Sequence, residues 1–308
     1  MKNPEVSIIL PAYNAGQTIT ETLESLIKQS FENFEIVIVN DGSTDNTEKI
    51  ILEFQKKFPR KIVYLKQKNK GLAGARNTGL KNAKGKFISW IDSDDIWLKE
   101  RLEKMYDFLK KNKDIDFVTT DAYLWYPPSR PKISYYKKYK YPFSGDLKDL
   151  LKNNFIFGSP LFKRKVFEKV GFLDEKLRSA EDYDYWIRVA LSGFKIRVIP
   201  EVLALYRQRE GSLSKDETSM ELNMAVMWEK HLRNSHLNKK EKEMIKNNLS
   251  KIYFSLAFKN IDNPNKAKEY LKKIKSFKSS FVIFLLNFKL GKTLFKKFLS
   301  IKKWLRKK

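Results

Sequence analysis

Three carboxylates within four residues, Asp92, Asp94 and Asp95, follow the apolar run Phe87-Ile88-Ser89-Trp90-Ile91. Like charges this close repel unless a cation neutralises them. Oxygen-only donors suit Mg2+ or Mn2+, and Mg2+ commonly takes one or two carboxylates together with substrate phosphates. A helix cap is the plainer reading of the same residues. Two other segments set polar side chains just after apolar runs: Pro11-Ala12-Tyr13-Asn14, and Asn40-Asp41-Gly42-Ser43-Thr44-Asp45. Standing alone, Asp41-Gly42-Ser43 also reads as a turn and a cap. Glu181-Asp182 opens a predicted helix, where the helix dipole favours acidic residues whatever their function.

The spacing of these segments implies the elements that carry them. Residues 6–10, 34–39, 62–65 and 87–91 are short runs rich in Val and Ile and read as buried strands. Between them lie helical patterns over residues 18–29, 44–57 and 72–83, the first with Ile19, Leu23, Leu26 and Ile27 on one face, the second with Ile50, Ile51 and Phe54 inward. Such alternation predicts βαβ units and a mostly parallel sheet flanked by helices, an α/β fold. Ligands of open α/β sheets bind beyond the carboxyl ends of the strands, where the polar segments sit. Residues 123–145 mix Tyr123, Trp125, Tyr126, Tyr135, Tyr136, Tyr139 and Tyr141 with Lys and four prolines and are expected to be an irregular excursion. A helix from Glu181 with Tyr185, Trp186 and Val189 inward precedes two closing strands, 195–199 and 202–206. After about Ser219 the pattern is helical, with Met244, Ile245, Leu249, Ile252, Tyr253 and Leu256 in one stripe and a new helix starting at Asn263-Pro264.

Composition narrows the chemistry. The chain has 308 residues, 42% hydrophobic, enough for a sizeable core and against disorder. It has no cysteine, which excludes disulfides, thiolate metal sites and thiol nucleophiles. Its two histidines, His231 and His236, read as packing or surface residues of a helical segment. No apolar run approaches the roughly 20 residues of a membrane span, and no signal-peptide pattern is visible. A cytoplasmic protein, free or peripheral at the inner face of the membrane, is the expectation.

The net charge of +26 suggests a polyanionic partner, but it is unevenly spread. Residues 1–120 carry 20 basic and 17 acidic side chains, residues 121–265 carry 27 and 18, and residues 266–308 carry 15 and 1. Of the basic residues 50 are Lys and 12 are Arg, a bias an AT-rich genome also produces, though it would not concentrate them at one end. In that end, Leu294, Phe298, Ile301 and Leu305 recur at helical spacing with Phe295 and Trp304, amid Lys296, Lys297, Lys302, Lys303, Arg306, Lys307 and Lys308. This reads as a basic amphipathic helix for an anionic membrane surface, or as a solubilising tail on a packed helix.

Together the motifs resemble the inverting glycosyltransferases of family 2, of GT-A fold, over about residues 5–215. The resemblance rests on Val6-Ser-Ile-Ile-Leu-Pro-Ala-Tyr-Asn14, Val39-Asn-Asp-Gly-Ser-Thr-Asp45, Gly71-Leu-Ala-Gly-Ala-Arg-Asn77, the Asp92-Ser93-Asp94 DxD motif and Glu181-Asp182. It implies a catalytic domain over 1–215 and a C-terminal helical region over 216–308. It further implies that Pro11, Ala12, Tyr13 and Asp41 line a nucleoside pocket, with Arg76 and Ser93 contacting the nucleotide. Asp92 is similar to the ribose-side carboxylate and shares the metal with Asp94, the direct ligand of Mn2+ or Mg2+. Asp182 corresponds to the general base, with Glu181 supporting it or contacting the acceptor. The expected reaction moves a hexose or N-acetylhexosamine from a nucleotide sugar, UDP-linked by expectation, to a glycan, either a lipid-linked oligosaccharide or lipopolysaccharide.

One segment departs from the pattern. Many relatives carry Tyr-Arg-x-His-x-x-Ser-x-Ser, and here the chain reads Tyr206-Arg-Gln-Arg-Glu-Gly-Ser-Leu-Ser214, with Arg209 at the His position. Arginine binds phosphate bidentately but does not ligate a cation, so Arg209 and Arg207 are expected on the donor diphosphate. Two other classes compete. A nucleic-acid-binding protein would use the basic surface but leaves the carboxylates unexplained, and no nucleic-acid partner is expected. A nucleotidyltransferase would also use a metal and a nucleotide, but its Gly-rich phosphate loop is missing.

Overall fold

The computed structural model describes residues 3–131, 133–139, 145–209 and 216–274. The chain forms two compact units, Met1–Lys215 and Asp216–Lys308.

The first unit begins as the periodicity requires: β1 (Val6–Ala12), α1 (Ile19–Ile27), β2 (Phe34–Asn40), α2 (Thr47–Lys57), β3 (Ile62–Lys66), α3 (Gly71–Asn82) and β4 (Phe87–Trp90). These strands are parallel, with Ala12 opposite Asn40 and Val6 opposite Phe87. The polar segments that follow β1, β2 and β4 therefore emerge on one edge. Ile19, Leu23 and Leu26 of α1 are completely buried, as is Ile51 of α2, while Ile50 and Phe54 pack partly buried on the same core. Gly79 lets α3 lie directly on β1, because a Cβ there would come within 2.3 Å of Ile9 Cγ2.

The sheet continues through β5 (Ile96–Trp97), α4 (Arg101–Lys111), β6 (Phe117–Trp125), α5 (Tyr135–Tyr139), α6 (Leu147–Lys152), β7 (Leu161–Lys163), α7 (Arg164–Val170), α8 (Glu181–Leu191) and β8 (Ile196–Arg207). Its order is β3-β2-β1-β4-β7-β6-β8-β5, with β7 and β5 antiparallel to their neighbours. The fold is a mixed α/β sheet with flanking helices. The inward face predicted for α8 is present: Tyr185, Trp186 and Val189 are fully buried, and Trp186 stacks on Trp90 at 5.1 Å between centroids. Truncating such an aromatic costs about 3–5 kcal/mol, so α8 is fastened to the sheet that carries the Asp92 segment.

The structure departs from the expected elements in two places. The closing strands are one strand, β8, which runs through Pro200. Its pairing with β6 jumps from Thr120–Ile199 to Asp121–Val202. Proline has no N–H for the ladder, and the register shift accommodates it. The aromatic segment is not wholly irregular. Tyr123 and Trp125 belong to β6 opposite Leu205 and Arg207, and residues 135–139 form α5. Asp121, 7% exposed, joins the two, its Oδ1 accepting from Ala122 N at 2.8 Å and Tyr136 N at 3.0 Å. The charged residue Asp121 interrupts the apolar run of this almost wholly buried strand, and its partner Tyr136 lies 15 positions away.

The second unit contains α9 (Glu217–Leu232), α10 (Lys239–Lys259) and α11 (Pro264–Lys272). Asn238 and Glu241 form a capping box for α10, and Asn263 caps α11 ahead of Pro264. Ile245, Leu249, Ile252, Tyr253 and Leu256 are buried as one stripe, with Met244 half-buried. His231 is buried within α9, whereas His236 is exposed in the turn between α9 and α10 rather than in a helix. The segment of residues 294–308, expected to be a basic amphipathic helix, lies outside the described residues. Among the described residues no helix is long and apolar enough to cross a membrane.

Candidate active site

The first two loops are joined to each other and to α3. Pro11 and Ala12 are buried at the end of β1, while Tyr13 is 52% exposed. Asn14 has φ 47°, a left-handed conformation that Asn tolerates better than most residues. Its N–H donates to Ser43 Oγ at 3.0 Å and its Oδ1 accepts from Thr44 N at 2.8 Å. Asp45 accepts from Gly16 N and from Thr47 N, both at 3.0 Å. Burial opposes ionisation of Asp45, but these bonds and one from the Thr47 hydroxyl outweigh it and lower its pKa. Asp41, 3% exposed, accepts from Gln67 Nε2 at 2.6 Å, Lys70 N at 2.9 Å and Gly71 N at 2.9 Å. Its charge thus lies at the N-terminus of α3, where exposed amides and the helix dipole favour it.

The second cluster surrounds Arg76. This residue of α3 is 2% exposed, and its guanidinium binds Asp92 Oδ1 at 2.6 Å and Glu181 Oε1 at 2.7 Å, beside the Trp90 ring. Burial alone would lower the Arg76 pKa. Asp92, Glu181 and Asp182 outweigh it and raise it. The same burial pushes Glu181 up to about 7, with Arg76 opposing and Asp182 adding. Asp182 is raised too, by burial first, against Arg76. Both acids begin α8 directly after Ala180, a non-glycine residue at φ 61°. That left-handed turn costs about 1–2 kcal/mol and directs two consecutive acids from the helix end. Three carboxylates facing one arginine leave the cluster short of positive charge.

The third group is the Asp92–Asp95 turn itself. Helix α1 holds its main chain: Thr18 Oγ1 donates to Ser93 O at 2.9 Å and Thr22 Oγ1 to Asp95 O at 2.8 Å. From β8, Arg207 N donates to Asp95 Oδ1 at 3.1 Å and Arg207 Nε to Asp94 O at 2.7 Å. The Arg207 guanidinium also pairs with Glu21 and lies 4.2 Å from the Trp125 ring centroid. Arg209 Nε meets Asp94 Oδ2 at 3.0 Å. Burial and the Asp92 charge raise the Asp94 pKa against Arg209, and burial raises Asp95 well above the usual carboxylate range.

The sequence-derived site residues therefore fall into two associated sets. Asp92 and Glu181 meet through Arg76, and Asp94, Arg207 and Arg209 meet where the end of β8 lies beside the β4–β5 turn, while Asp41 is bonded instead to the start of α3. Arg76 lies beneath the site between carboxylates, and Arg207 faces the protein rather than open solvent, its side chain 9% exposed. Thr18, Glu21, Thr22, Gln67 and Trp125 were not legible in advance, since each acts on a residue far away in sequence. Asp92 and Asp94 are hard oxygen donors, 35% and 18% exposed, each giving one oxygen to an arginine. They fit a sparse Mg2+ or Mn2+ site completed by donor phosphates. Among the described residues no cluster of three or more acidic or histidine groups suited to a metal ion is present.

Residues 7–171 match the family described as Glycosyl transferase family 2. The chain belongs to glycosyltransferase family 2. As a member, it is an enzyme that transfers sugars. This transferase is 32% identical over 225 residues to an Escherichia coli relative, UDP-Glc:alpha-D-GlcNAc-diphosphoundecaprenol beta-1,3-glucosyltransferase WfaP, covering 69% of this chain and 80% of WfaP. Its fold is shared with S. aureus TarS 1-349 in complex with UDP-GlcNAc (TM-score 0.66, 22% identity, 94% of this chain and 88% of that one). It is likewise shared with the mannosyltransferase PcManGT from Pyrobaculum calidifontis in complex with GDP-Man and Mn2+ (TM-score 0.63, 18% identity, 96% and 84%).

Proposed function

We propose that this transferase moves a hexose or N-acetylhexosamine from a UDP-linked donor to a hydroxyl of a lipid-linked glycan or lipopolysaccharide, inverting the anomeric centre. The observation that carries the reading is the buried Arg76 bridge between Asp92 and Glu181, which ties the donor-side carboxylate to the acidic pair at the start of α8. The UDP-sugar donor and diphosphoundecaprenol acceptor in the name of WfaP support the substrate classes.

Asp182 is the general base. It takes the proton of the acceptor hydroxyl as that oxygen attacks the anomeric carbon from the face opposite the diphosphate. Glu181, fixed by Arg76, supports it. Pro11, Ala12, the exposed Tyr13 and Asp41 line the base pocket, with Asp41 also ordering the start of α3. Asp92 and Ser93 serve the ribose side, and Arg76 acts on the nucleotide through Asp92. Arg209 takes the diphosphate, and Arg207 steadies the main chain of the Asp94 turn beside it. Asp94 and Asp92 would hold Mn2+ or Mg2+, which when bound stabilises the negative charge of the departing diphosphate.

A thermal-shift panel of nucleotide sugars tests the donor: UDP-sugars with Mn2+ should raise the melting temperature. No response to any nucleotide removes the reading.

The basic segment of residues 294–308 is the proposed tether to an anionic membrane on the cytoplasmic side, each basic residue contributing about 1 kcal/mol at most. Replacing Lys302, Lys303, Arg306, Lys307 and Lys308 with Gln should abolish sedimentation with phosphatidylglycerol vesicles. Undiminished sedimentation refutes the tether.

A further inference from the structure

Arg207 and Arg209 both hold Asp94, but in different ways. Arg207 binds its carbonyl, is fixed by Glu21 and Trp125, and is nearly buried. Arg209 meets the carboxylate through Nε at 3.0 Å from a side chain 43% exposed. Only the Arg209 end of this pair is open to solvent, Asp94 being 18% exposed, so the guanidinium can leave with little change in its own hydration. A guanidinium stays protonated and ligates no cation. While Arg209 lies on Asp94, its positive charge opposes a divalent ion at the same carboxylate. A diphosphate offers that guanidinium two parallel charge-assisted hydrogen bonds, which a single Nε contact to Asp94 cannot match.

We propose that Arg209 is an exchangeable counter-ion of Asp94: it neutralises the carboxylate in the donor-free enzyme, disfavours binding of a free divalent cation, and transfers to the donor diphosphate as donor and cation bind together. Cation and nucleotide then bind cooperatively, each making room for the other. Arg207 keeps the turn in place during the exchange, because its bonds go to the main chain of Asp94 and not to the carboxylate. The inference rests on the transferase reading of this site.

Mn2+ binding to the full chain, followed by electron paramagnetic resonance without and with UDP, tests it. Without UDP, Arg209→Ala should bind Mn2+ about tenfold more tightly than the wild type, the effect of removing a cation a few ångströms from the site. Arg209→Lys, which keeps the charge, should bind weakly like the wild type. Adding UDP should tighten Mn2+ binding strongly in the wild type and much less in Arg209→Ala. Equal Mn2+ affinity of wild type and Arg209→Ala without UDP overturns the proposal, as does Arg209→Lys binding as tightly as Arg209→Ala. Failure of UDP to raise the wild-type melting temperature removes the UDP-donor reading of the site, and the inference with it. A normal UDP shift with indifferent Arg209 variants removes the inference alone.

Discussion

The loops after β1 and β2 and the cluster around Arg76 handle negative charge in opposite ways. Asp41 and Asp45 take backbone amides and neutral side chains as partners. Asp92, Asp94 and Glu181 instead pair with arginines, and burial raises the pKa values of Glu181, Asp182 and Asp94. The first arrangement makes a fixed polar surface whose charge is satisfied by hydrogen bonds. The second leaves an unbalanced cluster that gains from a proton or a cation. The proposed roles divide along the same line, with reaction where charge is unbalanced and substrate positioning where it is not.

The largest expected effect separates the two regions by activity. Asp182→Asn should lower the transfer rate about 10²–10⁴-fold in a single-turnover assay while leaving the UDP thermal shift intact. Full activity in this variant would return the base role to another residue. Next, Arg76→Met strands Glu181 in the interior, and breaking a buried pair in this way costs about 3–5 kcal/mol, measured by urea denaturation. Adding Glu181→Gln should recover part of that loss. A cost below about 1 kcal/mol, the range of an exposed pair, would mean the cluster is not held through Arg76.

The smallest effect is a difference in sign with pH. Glu181 has a folded pKa of about 7 against an ordinary 4.5, so its contribution to stability is full below 4.5 and is lost as pH rises towards 7. Asp45 is shifted the other way, so its contribution is present above its ordinary 3.8 and is lost as pH falls below that. Stability profiles of Glu181→Gln and Asp45→Asn, each compared with the wild type, should diverge in those separate windows. Because Asp182 is also raised, the acid limb of kcat/KM should lie above the usual carboxylate range. A limb near pH 4 would contradict the burial of the pair.

Sequence legibility followed the range of the interactions. The four parallel strands, α1 to α3, the inward face of α8 and the capped start of α11 were all readable, because periodicity and capping act within a few residues. Strand β6 was missed because Asp121 interrupts its apolar pattern, and the bond that makes this tolerable comes from Tyr136. The contact of Arg207 was unreadable for a similar reason: its partner Glu21 lies 186 residues away.

By itself, the sequence set out carboxylates and arginines as the candidate groups, since it has no cysteine and its two histidines stand apart from the motifs. It also determined that these groups follow strand ends, through the alternation of short apolar runs with helical periods. Only the tertiary structure decided which carboxylate meets which arginine. Arg76 joins Asp92 to Glu181, 105 positions beyond it, because α3 and α8 converge on the sheet around Trp90. Arg209 meets Asp94 because β8 ends beside the β4 turn. Charge pairing depends on distances of a few ångströms, which the packing of helices on the sheet sets and local sequence patterns do not.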